Sequence, residues 1–305
     1  MEITAKTKLL GLFADPADHS KSPAIFNSIF EKYGMDYAYF AFRIPEGAIS
    51  DAMKVVRCLD MRGVNISMPH KEAVIPCLDE ISEEAKFCGA VNTVVNEDGT
   101  LKGYNTDIYG AVKAVEALGV DIEGSRITLL GLGGAGKAVL RGIAEKSPKR
   151  VNVFVRGIDA LSLGKTENAF RAAEALAFVE KTKGLTGVNI EVLDIENLDT
   201  LKSTLADTEI LINATGIGMG KDEGKSLVPD ASYLKNRPAV LDVIYAPEKT
   251  RLLEQAEEAG CIFSNGLDML IYQAERAFKL LIGEEVKIED IFESIKDKWK
   301  RSRDA

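Results

Sequence analysis

Two α/β domains are what this chain predicts, on three observations: its length, a recurring alternation of short apolar runs with helical periodicity, and a glycine turn in mid-chain. At 305 residues the chain exceeds what one hydrophobic core ordinarily fills, so two cores are expected. The alternation is that of helices packed on largely parallel sheets. In the segment Arg126-Ile-Thr-Leu-Leu-Gly131-Leu-Gly133-Gly134-Ala135-Gly136 an apolar strand runs into a glycine turn that opens a helix. Gly131 makes the tight turn, Gly133 lets a phosphate approach the backbone, and Gly136 allows close helix–strand packing, with helix N-terminal amides aimed at a pyrophosphate. That is the mark of a dinucleotide-binding βαβ unit. Since 125 residues precede Arg126, the N-terminal third has some other task.

The elements follow in order. Residues 8–13 form a brief apolar strand, and a polar loop leads to Pro23, which starts a helix as prolines do in a first turn; Ser22 before it reads as the N-cap. Ile25, Ile29 and Phe30 repeat at helical spacing, and Gly34 stops the helix. Residues 36–42 are strand-like, residues 47–61 helical, and the stretch 63–71 continues the alternation. Residues 79–87 look helical, and residues 90–104 read as a hairpin turned at Asp98-Gly99. Asn105-Thr-Asp107 caps a helix that runs through Leu118 into the dinucleotide unit. Strands are expected next at 127–130, 151–155, 190–193, 210–213 and 239–243, with helical stretches between them, among them the alanine-rich 170–182. A helix follows Ser264-Asn-Gly266, and residues 288–300 form the last one.

A net charge of −9 provides no basic face for a phosphate backbone, which argues against nucleic acid as a partner. The start, Met-Glu-Ile-Thr-Ala-Lys-Thr-Lys, lacks an apolar signal core, and no apolar run approaches the roughly 18 residues that span a bilayer, so a cytoplasmic protein without a membrane role is expected. Cys58, Cys77, Cys88 and Cys261 show no metal-ligand spacing and read as buried or half-buried free thiols. With only His19 and His70 as nitrogen ligands, no metal site is expected.

Four clusters of uncharged hydrogen-bonding residues stand at strand or loop ends in the N-terminal third: Ser20-x-Ser22, Asn65-x-Ser67, Asn92-Thr93 and Asn105-Thr106-Asp107. Each alone is more often a cap or a turn. Together they suit a polyhydroxylated small molecule. Lys71 is the ionisable group best fitted to donate a proton to an alkoxide as hydride arrives, and Asp107 is a carboxylate of the kind that holds such a lysine in place. Burial lowers a lysine pKa and a carboxylate raises it, so the sequence leaves its protonation state open. His70 beside it reads as a structural hydrogen-bonder. At the end of the strand after the glycine turn, Arg156 favours a 2′-phosphate and Asp159 opposes it, so NADP and NAD both stand as the cofactor. Tyr245-Ala-Pro-Glu-Lys249 matches the spacing of a catalytic Tyr–Lys pair one helical turn apart, but Pro247 between them breaks the helix that this chemistry needs.

These residues and their order resemble the shikimate dehydrogenase family. The match rests on Ser20-Lys-Ser22-Pro23, Gly63-Val-Asn-Ile-Ser-Met-Pro-His-Lys71, Gly89-Ala-Val-Asn92-Thr93, Gly103-Tyr-Asn-Thr-Asp107 and the glycine turn. Asn213-Ala-Thr-Gly, Asp242-Val-Ile-Tyr245-x-Pro247 and Gly266-Leu-Asp-Met269-Leu-Ile-Tyr-Gln273 extend it through nearly the whole chain. The resemblance implies a substrate domain, residues 1–107 completed by helices in 266–305, around an inserted Rossmann-like NAD(P) domain, residues 108–265. It implies reversible reduction of 3-dehydroshikimate to shikimate, with Lys71 and Asp107 as the catalytic pair. Ser20 and Ser22 would bind the substrate carboxylate, Ser67, Asn92, Asp107 and Gln273 its ring hydroxyls, and Tyr245 would lie near it. Gly131, Gly133, Gly134, Ala135, Gly136, Arg156 and Asp159 would meet the dinucleotide, with Val243 and Gly266 at the nicotinamide. Glu83 matches a position sometimes given a cofactor contact. Ser67 stands where the family usually has threonine, and Val155-Arg156-Gly157 replaces its Asn-Arg-Thr. The following stretch, through Asp159 and Lys165, is similar to the quinate/shikimate branch, so quinate is a second candidate substrate. A homodimer is the assembly the family implies. The rival readings are a non-catalytic sensor of dinucleotide and substrate, which would have no use for the Lys71–Asp107 pair, and a two-domain dehydrogenase of another small substrate such as methylenetetrahydrofolate, against which the Ser-x-Ser and Asn-Thr-Asp clusters speak.

Overall fold

The computed structural model describes residues 2–18, 20–158 and 167–293. Its chain divides into two compact units, one comprising residues up to Thr106 together with those from Ile271 onward, the other Asp107–Leu270.

The first unit holds strands β1 (Lys8–Ala14), β2 (Tyr37–Arg43), β3 (Gly63–Ile66), β4 (Glu80–Ile81), β5 (Thr93–Glu97) and β6 (Thr100–Tyr104), in the sheet order β2-β1-β3-β5-β6-β4. Strand β1 runs parallel to β2 and β3, whereas β5 is antiparallel to both β3 and β6. The sheet is therefore mixed rather than largely parallel. The hairpin is the cause: Asp98 and Gly99, at φ 52° and 91°, make the two-residue left-handed turn that folds β6 straight back on β5. Helices α1 (Ser22–Tyr33), α2 (Ile49–Cys58), α3 (His70–Ala73) and α4 (Glu83–Cys88) fill the connections. Residues 79–87 are not one helix. Glu80 and Ile81 pair with β6, and Ser82 starts α4 by accepting a hydrogen bond from the Ala85 amide. Cys58 is exposed, contrary to the expectation for it.

In the second unit, α5 (Asp107–Glu116) leads into β7 (Arg126–Leu130), α6 (Gly134–Ala144), β8 (Arg150–Val155), α7 (Glu167–Thr186), β9 (Ile190–Asp194) and α8 (Leu198–Leu205). Then come β10 (Ile210–Asn213), β11 (Ala239–Asp242), α9 (Arg251–Glu258), β12 (Phe263–Ser264) and α10 (Leu267–Ile282), along which the chain returns to the first unit. All six strands of this sheet are parallel, in the order β12-β11-β10-β7-β8-β9. Their central members are buried along almost their full length, as strands covered on both faces by helices must be. The order reverses between β7 and β10, which opens a crevice at the carboxyl ends of those two strands. In the first unit, Phe278 of α10 stacks on Phe26 and packs against Phe30 of α1, at 5.8 and 5.7 Å between ring centroids. Residues 288–293 are helical, while the rest of the last expected helix lies outside the described residues.

Candidate active site

One rim of the first sheet gathers most of the polar clusters. Since β5 runs against β3 and β6, with Asn65 opposite Thr93 and Thr93 opposite Tyr104, the amino end of β5 lies beside the carboxyl ends of its two neighbours. Ser67 and Lys71 leave β3 at this rim, Asn92 enters β5 there, and Thr106 follows β6. Ser20 and Ser22 come from the loop and helix after β1. The helix starts one residue earlier than expected: Ser22 is its first residue and not its N-cap, and Ser20 Oγ instead accepts from the Ser22 amide at 3.2 Å.

A continuous chain of hydrogen bonds runs beneath the rim. The Tyr39 hydroxyl donates to Asn65 Oδ1 at 2.8 Å, and Asn65 Nδ2 donates to Thr93 Oγ1 at 3.0 Å. Thr93 Oγ1 donates to Asn92 Oδ1 at 3.1 Å, which also accepts from the Thr106 amide at 2.8 Å. Asn92 Nδ2 donates back to Thr106 Oγ1 at 2.9 Å, and that hydroxyl reaches Gln273 Oε1 of α10 at 3.2 Å. Tyr39, Asn65, Asn92, Thr93 and Thr106 are all buried, and burial holds the Tyr39 phenol far above its usual pKa range. Satisfied networks of this kind fix side chains in single orientations.

Lys71 is set into the same rim through its backbone: its carbonyl accepts from the Val91 amide at 2.8 Å, next to Asn92. Short α3, which carries it, is anchored by His70, whose Nε2 lies 2.7 Å from the Ile44 carbonyl and whose side chain is buried. His70 is thus the structural hydrogen-bonder that its position suggested. The Lys71 and Ser67 side chains are half-buried, and Glu83 is exposed on the first turn of α4. Asp107 follows Thr106 directly and begins α5; its side chain is half-buried.

In the second unit the glycine turn leaves β7 at the strand-order reversal. Gly131 has φ +88°, and a Cβ there would meet the side chain of Thr215 from the loop after β10. A Cβ on Gly136 would overlap the Gly131 carbonyl, so the first turn of α6 presses on the backbone of the loop. Around Gly133 and Gly134 there is open space, and both are exposed. A turn packed from behind and bare in front, with helix α6 starting at Gly134 beside half-buried Ala135, fits a dinucleotide pyrophosphate.

The loops after β10 and β11 are tied together below this turn. The buried carboxylate of Asp242 accepts from Thr250 Oγ1 at 2.6 Å, Asn213 Nδ2 at 3.0 Å and the Ile244 amide at 3.1 Å, while Asn213 Oδ1 accepts from the Thr215 hydroxyl at 2.7 Å. Val243 follows Asp242, and Gly266 fits so close against the Val243 carbonyl that a Cβ would overlap it. Tyr245 is exposed, and Pro247 lies in an irregular loop, so no helix carries Tyr245 and Lys249. Arg156, exposed at the end of β8, approaches Glu196 at 3.5 Å. Asp159 lies outside the described residues. Tyr39 and Glu196 carry no role that the residues alone suggest, because an aromatic in a strand reads as core and a lone acid after a strand reads as a solvated charge; Asp242 stands in a quoted motif, but its part in tying the two loops together shows only in its hydrogen bonds.

A family model described as "Shikimate dehydrogenase substrate binding domain" matches residues 12–94. A shikimate dehydrogenase (NADP(+)) of Listeria monocytogenes is 40% identical over 95% of this chain and 96% of its own length. The crystal structure of a shikimate 5-dehydrogenase from Listeria monocytogenes in complex with shikimate and NAD superposes with a TM-score of 0.88 at 39% identity, over 97% of this chain and 98% of that one. A quinate dehydrogenase from Corynebacterium glutamicum in complex with NAD gives 0.82 at 28% identity, over 95% and 99%.

Proposed function

The chain belongs to the shikimate dehydrogenase family, and from that premise we propose that the rim of the first unit holds the substrate while Lys71 and Asp107 move its proton. The protein is an NAD(P)-linked oxidoreductase that interconverts 3-dehydroshikimate and shikimate. The proposal divides it into a discontinuous substrate domain and an inserted dinucleotide domain, in a cytoplasmic homodimer.

A nicotinamide held by the second unit would supply or take up the hydride at the ring carbon. The residues of the chain handle everything else. Ser20 and Ser22 bind the substrate carboxylate, while Ser67, Asn92 and Gln273 accept and donate to the ring hydroxyls. In the reducing direction the Lys71 ammonium donates a proton to the oxygen that becomes the alcohol, and in the oxidising direction the neutral amine removes it. Asp107 orients the ammonium and favours its charged form. In the second unit the turn from Gly131 to Gly136 receives the pyrophosphate, Arg156 the adenosine end, and Val243 and Gly266 the nicotinamide end, with Tyr245 near the substrate. Quinate is a second substrate on this reading, from the likeness of the stretch through Asp159 and Lys165 to the quinate/shikimate branch and the similarity of the chain to a quinate dehydrogenase.

The single observation supporting this reading is the hydrogen-bond chain from Tyr39 through Asn65, Thr93 and Asn92 to Thr106 and Gln273. It orders neutral hydrogen-bonding groups around Lys71, as a polyhydroxylated substrate requires. Lys71→Ala is expected to lower turnover about 10²–10⁴-fold while leaving the thermal unfolding midpoint and dinucleotide affinity near those of the parent. Nicotinamide absorbance with shikimate and with quinate, each with NAD and NADP, reads the outcome, and unchanged turnover overturns the assignment.

A further inference from the structure

The Arg156–Glu196 pair lies where adenosine recognition is decided in a parallel dinucleotide-binding sheet, at the strand ends beside the glycine turn. The pairing of β8 with β9 creates it. Val155 lies opposite Asp194, the Ile195 amide donates to the Val155 carbonyl, and the two side chains leave the sheet next to one another. The backbone at Glu196 is held in place: the Asp194 carboxylate accepts from its amide at 2.9 Å, and the next residue, Asn197, caps α8 by accepting from the Thr200 amide at 3.0 Å. From that position its exposed carboxylate reaches Arg156, Oε1 to Nε 3.5 Å. Asp222 also feels the Arg156 charge, but its carboxylate is already engaged by Lys225 at 2.8 Å.

A 2′-phosphate brings close to two negative charges to this spot and a 2′-hydroxyl brings none. An arginine with a carboxylate beside it offers the phosphate less than a bare one. We infer that Glu196 is a specificity-determining residue: by holding Arg156 in an ion pair it restrains binding of the 2′-phosphorylated cofactor and so keeps NAD competitive with NADP. This rests on the dinucleotide reading of the glycine turn.

The test compares the full-length parent, Glu196→Gln and Arg156→Gln by titration calorimetry with adenosine 2′,5′-bisphosphate and with 5′-AMP, neither of which needs turnover. Glu196→Gln should tighten the bisphosphate by up to about fivefold, the upper range for an exposed ion pair, and move 5′-AMP by less than about twofold. Arg156→Gln should weaken the bisphosphate selectively. The ratio of kcat/KM for NADP over NAD should rise in Glu196→Gln by the same factor. An unchanged bisphosphate-to-AMP ratio, or an equal shift of both probes, overturns the inference. Failure of both probes to bind the parent overturns the dinucleotide reading itself, a distinct result.

Discussion

Asn92 offers the most stringent test of the buried hydrogen-bond chain. Replacing it with alanine removes the acceptor of the Thr106 amide at 2.8 Å and of the Thr93 hydroxyl at 3.1 Å, together with the donor to Thr106 Oγ1 at 2.9 Å. Two donors are then stranded in residues that are 1% and 0% exposed, whereas Thr106 Oγ1 keeps Gln273. At about 1–3 kcal/mol for each unsatisfied buried group, the loss comes to roughly 2–6 kcal/mol, and a water entering the vacated volume would bring it toward the lower figure. Urea unfolding of the parent and of Asn92→Ala measures it, with Thr106→Val as the companion. That variant keeps the amide bond and should cost about 1 kcal/mol. Since Thr106 directly precedes Asp107, Asn92→Ala should also lower kcat and not merely raise KM. A destabilisation under about 1 kcal/mol with an unaltered kcat would refute the idea that Asn92 organises the rim.

Three further outcomes are expected. Gly136→Ala, whose Cβ would overlap the Gly131 carbonyl, should cost about 1–3 kcal/mol and weaken dinucleotide binding, whereas Gly133→Ala, with open space around it, should weaken binding with little change in thermal midpoint; parent-like affinity in Gly133→Ala would contradict the pyrophosphate role. Burial raises the Asp242 pKa from 3.8, so just above that value the folded state holds a proton that the unfolded chain releases, and stability falls as pH rises through the window. Asp242→Asn cannot titrate; its stability relative to the parent should therefore climb from about pH 4 toward neutrality, in urea melts, and a flat difference would count against the buried charge. Gly34→Ala, at φ 64° on the end of α1, should cost about 1 kcal/mol of stability and leave kinetics untouched.

Much of the fold is legible in the residues because the signals are local. Asp98-Gly99 demands a left-handed turn wherever it lies between strands, and the runs at β7, β8, β10 and β11 are too continuously apolar to be anything but buried. Strands β4 and β12, two residues each, have no period to read and exist only through their neighbours. The rim is partly legible for a similar reason: Ser67, Lys71 and Asn92 stand out as polar residues at the ends of apolar runs. Tyr39 does not, since its ring is stacked on Phe26 at 4.4 Å like any core aromatic, and only its hydroxyl, meeting Asn65 across the sheet, gives it another part. Ser22 shows how a correct start can mislead. Pro23 does open a helix, but the serine before it lies inside the first turn, and its amide donates to Ser20 Oγ. Glu196 is forty residues beyond Arg156, and only the parallel pairing of two strands reveals that they meet.

The stacking of Phe278 on Phe26 also has a meaning in time. A ribosome releases α1 well before α10, and at about 5–20 residues per second the two are separated by roughly ten to fifty seconds of synthesis. During that interval the second unit emerges whole while the first still bares the aromatic face that α10 will cover. Birth order and structural completion thus run opposite to one another here: the half of the molecule made first is finished last, and its exposed face is the stretch for which a chaperone would have the greatest use.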